Sequence, residues 1–336
     1  MKNTDTILIT GVAGLLGWNF ATWLLLHTNH RVIGVDAMYN WGNHNEVVPN
    51  LRYEFHQLDL VKDYEELDRI VKENNVRVIY HFASYAAEGL SPFMRRFNYM
   101  QNTVASSNVI NTCIKHDVEL VFTSSVSVYG GGAGHPFKET DWPRPVDPYG
   151  IAKAGIEQDL ACATNYHGLK WVIIRPHNVF GKGQNVNDKY RNVIGIWMHQ
   201  AIEGKPMTIY GYGEQRRAFT YIDNILEPMY KVLHDDHIFQ VYNLGGIQSH
   251  SINEICDMVK EVTGFNKVEY LQRRGEVFDT TPDPSKSIED LGYKDKVDLL
   301  TGLHKMWDWV RLENKVGKWY EWDAFELDKG IYSYWK

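Results

Sequence analysis

The sequence predicts an α/β protein built on a doubly wound parallel sheet, and two observations support this prediction. Short apolar runs alternate with longer amphipathic runs through the first half of the chain, the pattern of parallel strands joined by helices. A glycine-rich segment joins the first apolar run to the first amphipathic run, as a tight strand-to-helix turn requires. With 336 residues, 44% of them hydrophobic, the chain can bury a large core and is expected to be globular.

The order of the apolar runs predicts the elements one by one. Strands are predicted at 6–10, 31–36, 52–59, 76–83, 119–125 and 170–176. Helices are predicted between them at 18–27, 63–74, 97–115 and 149–166. Beyond residue 177 the alternation changes, with helices predicted at 193–203, 251–263 and 303–312 and a strand with its turn at 240–246. The tail from residue 317 is rich in tryptophan and tyrosine, and we interpret it as a strap packed on the surface without a regular element.

The glycine-rich turn after the first strand is a candidate phosphate-binding element. Glycines there allow a tight turn and let backbone amides approach a pyrophosphate, and the helix that follows presents its positive N-terminus. The spacing is Gly-x-x-Gly-x-x-Gly and not the Gly-x-Gly-x-x-Gly of the standard dinucleotide fingerprint. A tight turn that binds no ligand is the alternative interpretation. The candidate cofactor-binding residues are Gly11, Gly14, Leu15, Leu16 and Gly17.

Three further strand ends place candidate cofactor contacts at the same edge of the sheet. Asp36 ends the second strand about 20 residues beyond the glycines, where a carboxylate can bind the adenosine ribose hydroxyls. Such a carboxylate repels a 2′-phosphate and therefore favours NAD over NADP; a turn residue at a strand end is the alternative. Asp59 and Leu60 either reach the adenine or belong to the cap of the next helix. Ala83 follows the fourth strand and leaves room for a cofactor.

Tyr149 and Lys153 are the candidate catalytic pair. Their spacing of four places both side chains on one face of a helix. Free tyrosine has a pKa of about 10, and a nearby positive charge favours the phenolate, which a base near neutral pH needs. An exposed helix face without a catalytic role is the alternative interpretation.

Charge and cysteine content exclude several classes of partner. The net charge of −7 gives no reason to expect nucleic acid. Cys113, Cys162 and Cys256 are scattered and odd in number, which indicates neither a disulfide framework nor a metal site and fits a reducing cytosol. Because no signal-peptide pattern or membrane-length apolar run is found, we expect a cytoplasmic protein without a membrane partner.

Taken together, these residues resemble the extended short-chain dehydrogenase/reductase family, and within it the nucleotide-sugar epimerases and dehydratases, nearest to the NAD-dependent 4-epimerases. The resemblance spans residues 5 to 310 and rests on the 11–17 glycines, Asp36, the Ser-Ser-Val-Ser-Val-Tyr-Gly run, Tyr149-x-x-x-Lys153, Arg175-Pro-x-Asn178 and Arg217-x-Phe-x-Tyr-Ile-Asp223. It implies a Rossmann domain that binds NAD at 1–177 and about 217–245. It also implies a smaller nucleotide-sugar-binding domain at 178–216 and 246–336, and a homodimer formed through the 97–115 and 149–166 helices.

The resemblance also implies roles for single residues. Tyr149 is the acid/base on a sugar hydroxyl, Lys153 holds the nicotinamide ribose and lowers the pKa of Tyr149, and Ser125 binds the reacting oxygen. Asn178 holds the sugar of the substrate or its diphosphate. The implied substrate-binding residues are Glu88, Ser125, Asn178, Arg217 and Arg274. The two arginines suit a diphosphate because their donors are forked; surface ion pairs are the alternative for each.

The run that ends the fifth strand decides between reaction classes. Dehydratases of this family carry Thr-Asp-Glu there, whereas this chain has Ser125, Val126 and Ser127. Valine cannot transfer a proton, and the sequence does not place another carboxylate, such as Glu88 or Glu139, beside it. The preferred interpretation is an NAD-dependent epimerase of a nucleotide-activated sugar, acting at C4 through a transient keto-sugar. The alternatives are a nucleotide-sugar reductase or dehydrogenase, then a dehydratase or a non-catalytic cofactor-sensing protein.

Overall fold

A seven-stranded parallel sheet forms the centre of the molecule. The structure is a computed structural model that describes residues 4–39, 45–131, 136–233, 235–313 and 315–335. The strands are β1 Thr6–Thr10, β2 Arg31–Asp36, β3 Tyr53–Gln57, β4 Val76–His81, β5 Glu119–Thr123, β6 Trp171–Pro176, β7 Val179–Phe180, β8 Met207–Tyr210, β9 Arg216–Ala218, β10 Thr220–Tyr221, β11 Val241–Leu244, β12 Ser249–Ser251, β13 Val268–Leu271 and β14 Asp279–Thr280. The helices are α1 Leu15–His27, α2 Tyr64–Glu73, α3 Arg95–Tyr99, α4 Ala105–His116, α5 Pro148–His167, α6 Val193–Glu203, α7 Asp223–Lys231, α8 Ile252–Thr263, α9 Ser285–Leu291 and α10 Leu299–Leu312.

The order of the strands confirms the doubly wound fold. The sheet runs β3–β2–β1–β4–β5–β6–β11, with every neighbouring pair parallel. The chain reverses its direction of winding between β1 and β4, and a crevice opens outside the carboxyl ends of the strands at such a point. The predicted strand at 240–246 is the edge strand β11, so a segment from the second half of the chain completes the sheet.

Helices cover both faces of the sheet because its central strands are apolar on both sides. One face packs against α2, α4 and α5, with Leu67, Val109 and Leu160 in the same apolar cluster as the strand residues. The other face packs against α1 and α7, and its cluster continues without interruption to Trp197 and Trp307 in the C-terminal half. The C-terminal half of the chain therefore shares a core with the sheet.

Several element boundaries differ from the predicted ones for local reasons. The first helix begins at Leu15 and not at residue 18, so the glycine turn leads directly into it. The last long helix begins at Leu299, because the side chain of Asp298 accepts a hydrogen bond from the backbone of Thr301 and caps it. The helix predicted at 97–115 consists of α3, a π-helical turn at Met100–Val104, and α4. Helix α7 was not predicted, and Pro228 lies inside it.

The aromatic tail lies against the loop that follows β4. We call residues 317–335 the strap. Its members Ile331 and Trp335 are buried in a cluster with Leu90 and Phe93, and the only helical turn described within it is Ser333–Trp335. The prediction of a strap packed on the surface is confirmed, except that the strap contains one helical turn and that its residues Ile331 and Trp335 are buried. Within the described part of the chain, no helix is long and apolar enough to cross a membrane.

Candidate active site

A large cavity lies at the carboxyl edge of the sheet. Its volume is about 1010 Å³, at the upper end of the range for ligand-binding cavities. Every site residue predicted from the sequence lines this one cavity: Gly11, Gly14, Leu15, Leu16, Gly17, Asp36, Asp59, Leu60, Ala83, Glu88, Ser125, Tyr149, Lys153, Asn178, Arg217 and Arg274. Residues separated by more than half of the chain therefore meet at a single site.

The turn between β1 and α1 can be formed only with glycine at two positions. Gly11 has a φ of +71°, and a Cβ built on it would lie 2.7 Å from the backbone nitrogen of Ala83. A Cβ on Gly17 would lie 2.2 Å from the carbonyl oxygen of Gly11, a distance no real side chain tolerates. The turn is thus held close to β4, and the N-terminus of α1 faces the cavity with its backbone amides.

Asp36 is fixed beside this turn by backbone donors. Its carboxylate accepts hydrogen bonds from the amide of Ala13 at 3.0 Å and of Met38 at 2.9 Å. A carboxylate held in this way at the end of β2 is the ribose-binding arrangement of dinucleotide sites.

Asp59 and Leu60 lie at the next strand end, where Asp59 belongs to the turn before the next helix. The carboxylate of Asp59 accepts from the amide of Val61 at 3.0 Å and from the hydroxyl of Tyr39, while Asp63 accepts from the amide of Asp59 at 2.9 Å. These contacts order the turn that enters α2, yet both predicted residues still line the cavity. The glycine turn, the acid at the end of β2 and the small Ala83 together fit NAD.

The catalytic pair lies at the start of α5. Asp147 caps the helix by accepting from the amide of Gly150 at 2.9 Å, and Pro148 occupies the first turn. Ser125 and Ser84 lie close to the hydroxyl of Tyr149. The Nζ atom of Lys153 donates to the carbonyl oxygen of Thr123 at 2.8 Å. The helix therefore presents both side chains to the end of β5, as the spacing of four predicted.

The predicted depression of the pKa of Tyr149 is wrong in direction. Burial raises the pKa of Tyr149 to about 12, since a buried phenolate loses its hydration, and the hydrogen bond from Ser125 only partly offsets this effect. Burial also lowers the pKa of Lys153 to about 7, against the opposing effect of Glu157. The Nζ atom of Lys153 lies 5.9 Å from the centre of the Tyr149 ring. A weakly charged lysine at this distance does not outweigh the burial of the tyrosine.

A chain of hydroxyl groups leads from Tyr149 to a carboxylate that the sequence did not place. Ser125 Oγ lies 3.2 Å from Ser127 Oγ, and Ser127 Oγ lies 3.2 Å from Oε2 of Glu88. Val126 lies between the two serines in sequence, as noted above, and carries no titratable group. The titratable group near the end of β5 therefore comes from the loop after β4, 39 positions earlier in the chain.

The π-helical turn between α3 and α4 supports the site from below. Asn102 is fully buried in that turn, and its side chain accepts from Ser84 at 2.5 Å and donates to the side-chain oxygen of Asn98 at 3.0 Å. Asn98 in turn donates to the carbonyl oxygen of Pro148 at 3.0 Å. Ser84, which the sequence analysis did not single out, is thereby oriented towards Tyr149.

The two candidate diphosphate-binding arginines converge on one acid at the far end of the cavity. Arg217 lies 3.7 Å and Arg274 lies 3.3 Å from the carboxylate of Glu276. Arg217 also donates to the carbonyl oxygen of Val277 at 2.7 Å, and Arg274 stacks over the ring of Tyr210. Both arginines therefore form ion pairs, as the alternative interpretation held, but these pairs lie in the wall of the cavity.

Asn178 occupies a strained position between the two ends. Its φ is +33°, which few residues other than glycine adopt, and its side chain donates to the carbonyl oxygen of Ala218 at 3.0 Å. Strain of this kind is most often retained at functional sites.

Besides Ser84, sequence reasoning missed Arg191 and two tyrosines of the strap, which also line the cavity. Arg191 Nε lies 2.8 Å from the buried Asp188, and its guanidinium lies over the ring of Tyr85. The spacing of three between this acid and base was the available signal. Tyr332 and Tyr334 of the strap also line the cavity, and no local pattern could have indicated this. Among the described residues, no cluster of histidine, cysteine and acidic side chains could hold a metal ion.

Comparison with known proteins identifies the family of this chain. The sequence model of the NAD-dependent epimerase/dehydratase family matches residues 7–245. A putative UDP-glucose 4-epimerase of Methanocaldococcus jannaschii is 28% identical over 314 residues, which cover 92% of this chain and 100% of that protein. The structure of a UDP-glucose 4-epimerase of Thermotoga maritima with UDP-glucose is 27% identical, with a TM-score of 0.85, covering 92% of this chain and 99% of that one.

A third relative differs in its sugar. The structure of a UDP-glucuronic acid 4-epimerase of Bacillus cereus, in complex with UDP-glucuronic acid and NAD, is 26% identical, with a TM-score of 0.82, covering 92% of this chain and 99% of that one. The family match covers well over half of the chain, and the predicted resemblance is confirmed. NAD, the predicted cofactor, is the one by which this family is named. The chain belongs to the NAD-dependent epimerase/dehydratase family of extended short-chain dehydrogenase/reductases.

Proposed function

We propose that this protein is an NAD-dependent epimerase of a nucleotide-activated sugar and that it acts at C4. The observation that supports this most directly is the convergence of Tyr149, Ser125 and Lys153 beside the glycine turn of β1 and α1. Reversible oxidation of a sugar carbon requires a group that accepts the proton of the sugar hydroxyl and, at the same place, a site for the dinucleotide. The relatives described above epimerise UDP-sugars at C4, by the names they bear.

The chain's own residues divide the work at the reacting carbon. Ser125 and Tyr149 present two hydroxyls to the same substrate oxygen, and Tyr149 takes up and returns its proton. Lys153 is held on the carbonyl oxygen of Thr123 and would hold the ribose next to the nicotinamide when the dinucleotide is bound. When bound, NAD supplies a hydride acceptor at the sugar carbon and a positive charge that favours the phenolate. Because hydride and proton both return, the product has the mass of the substrate.

The far end of the cavity suits the diphosphate. Arg217 and Arg274 each offer forked donors, and both already lie beside one acceptor, the carboxylate of Glu276. A diphosphate would exchange these contacts for its own, with Asn178 between it and the catalytic residues. The nucleotide-sugar-binding domain would then comprise 178–216 and 246–336, and the NAD-binding domain 1–177 with about 217–245.

A homodimer in the cytoplasm completes the proposal. On α5, Ile151, Gly155 and Cys162 are exposed along one face, and the exposed Val104 directly precedes α4. These two helices pack against each other, so their outer faces could join those of a second copy to form a four-helix interface.

Dehydration of the sugar is a second candidate, because Glu88 lies against Ser127. Elimination of water needs acid and base at the neighbouring carbon, and a carboxylate in contact with Ser127 is the group that the sequence appeared to lack. Epimerisation remains the preferred function because the positions that carry acids in dehydratases are Val126 and Ser127 here.

The two candidates differ in the mass of the product. The NAD-loaded protein is incubated with a panel of nucleotide sugars in deuterated water, and the products are separated and weighed. Epimerisation at C4 yields an isomer of equal mass without carbon-bound deuterium, because the migrating hydrogen does not exchange with solvent. A product lighter by one water would establish dehydration instead. Tyr149→Phe serves as the control, since it should abolish either reaction. No conversion of any sugar would contradict both.

A further inference from the structure

The sugar end of the cavity carries two carboxylates, those of Glu88 and Asp147. Glu88 lines the cavity and is linked to Ser125 by two successive hydrogen bonds through Ser127. It therefore lies close to the substituents on the carbons next to the reacting carbon. Asp147 lines the same region. Its side chain is only 8% exposed, and its Oδ2 atom is buried without a hydrogen-bond partner within the described residues. Burial, with a further contribution from Glu88, raises the pKa of Asp147 to about 6.

The lysine and arginine side chains that line the cavity already have hydrogen-bond or ion-pair partners. Arg191 pairs with Asp188 at 2.8 Å, and Lys153 donates to a backbone carbonyl. Lys189 contacts Glu321, and Arg217 and Arg274, which contact Glu276 here, are the residues assigned above to the diphosphate and not to the sugar. A carboxylate on the sugar would therefore meet Glu88 and Asp147 without gaining a cation, and like charges at this range repel strongly away from bulk water.

We propose that Glu88 is a specificity-determining residue that restricts the substrate to nucleotide sugars without a carboxylate. In this proposal, which rests on the proposed function, a hydroxyl or hydroxymethyl group donates to Glu88 and a hexuronate is rejected. Neutral hydrogen-bond donors on the sugar satisfy the carboxylates of Glu88 and Asp147. A carboxylate on the sugar cannot donate to them and is repelled by them. The chain thus differs in substrate from the relative that binds UDP-glucuronic acid, although it shares its fold.

The test compares a neutral sugar with its acidic counterpart on one nucleotide. Calorimetric titration of the NAD-loaded full chain first ranks UDP, dTDP, GDP, CDP and ADP. Glucose and glucuronate joined to the tightest-binding nucleotide, UDP-glucose and UDP-glucuronate for example, are then titrated into the wild type and into Glu88→Gln. That substitution keeps the size of the side chain and a hydrogen-bonding group for Ser127, but removes the charge.

We expect the wild type to bind the glucose compound at least tenfold more tightly than the glucuronate compound. Glu88→Gln should narrow this ratio at least fivefold, and the ratio of the two affinities within each variant corrects for any effect of the lost charge on the nucleotide end. The control Glu261→Gln, on the exposed side of α8, should not alter the ratio. Equal affinities in the wild type, or an unchanged ratio in Glu88→Gln, would overturn the inference while nucleotide binding upholds the proposed function. Failure of every nucleotide to bind would overturn both.

Discussion

Arg175 and Glu157 form a buried ion pair that joins β6 to α5. Arg175 Nη2 lies 2.6 Å from Glu157 Oε2, and its Nε lies 2.9 Å from Oε1, with both side chains almost inaccessible to solvent. The same guanidinium donates to the hydroxyl of Tyr129 at 2.6 Å. Because α5 also carries Tyr149, this pair fixes the helix that presents the catalytic hydroxyl.

Removal of one partner of this pair should destabilise the protein severely. Glu157→Ala leaves a buried guanidinium without its partner, and such losses cost about 3–5 kcal/mol. The measurement is the free energy of unfolding in urea. The exposed control Glu261→Ala should change it by less than about 0.5 kcal/mol. A loss below about 1 kcal/mol for Glu157→Ala would show that the pair does not hold the helix.

Tyr149→Phe should abolish most of the activity and retain the cofactor. The substitution keeps the buried ring and removes the proton acceptor, and general acid–base groups contribute about 10²- to 10⁴-fold. We expect a loss of kcat in that range or beyond, with the affinity for NAD unchanged in a titration. Activity within a few-fold of the wild type would mean that another group is the base.

The cofactor preference should depend on Asp36. Its carboxylate repels a 2′-phosphate, so NAD should bind at least tenfold more tightly than NADP, a difference of about 1.4 kcal/mol. Asp36→Ala should narrow the gap. The comparison of two cofactors within each variant corrects for any general loss of folding, because that loss weakens both. Equal affinities in the wild type would defeat the assignment.

The stability contributed by Asp147 should fall as the pH rises. Burial raises its pKa from the usual 3.8 to about 6 in the folded protein, so the folded state binds the proton more tightly than the unfolded state. This contribution is complete below about pH 4 and is lost as the pH rises through about 6. Asp147→Asn keeps a residue that caps helices well and cannot titrate.

Relative to the wild type, Asp147→Asn should therefore gain stability between pH 4 and pH 7, by on the order of 2 kcal/mol. Urea unfolding at both pH values measures this, with Asp308→Asn on the exposed side of α10 as the control. A difference between variant and wild type that does not change with pH would contradict the assignment.

The association state tests the outer faces of α4 and α5. Gly155 is exposed, and a Cβ built there meets nothing within 4 Å, so a larger side chain is tolerated by the single chain. We expect light scattering to give a dimer for the wild type and a 39.0 kDa monomer for Gly155→Arg. Glu261→Arg introduces the same side chain on α8 and should remain dimeric. A monomeric wild type at micromolar concentration would overturn the interface.

The local parts of the site were predictable because each depends on a short stretch of sequence. The turn that contains Gly11 and Gly17, the acid Asp36 at a strand end and the spacing of Tyr149 and Lys153 all follow from neighbouring residues. Their gathering in one cavity follows from the parallel sheet, whose strands share a carboxyl edge.

The remaining features depend on contacts between distant segments. Glu88 meets Ser127 only because two loops converge above the sheet, and no periodicity records that meeting. The predicted direction of the pKa shift of Tyr149 was wrong because the shift is set mainly by burial, which is a property of the whole fold. Tyr334 lines the cavity, and its hydroxyl accepts a hydrogen bond at 2.7 Å from Gln200, 134 positions away in the sequence.

The strap has a consequence for the order of folding. The amides of Arg96 and Phe97 donate to Glu326 at 2.8 Å across 230 and 229 positions of sequence, so these contacts are among the most non-local in the chain. Closing so long a loop costs entropy before any contact compensates for it, which makes such contacts late to form. The strap should likewise be among the first segments to open in native-state hydrogen exchange, well before the sheet. A protein whose NAD site is complete would thus pass through states in which its sugar pocket is still unfinished.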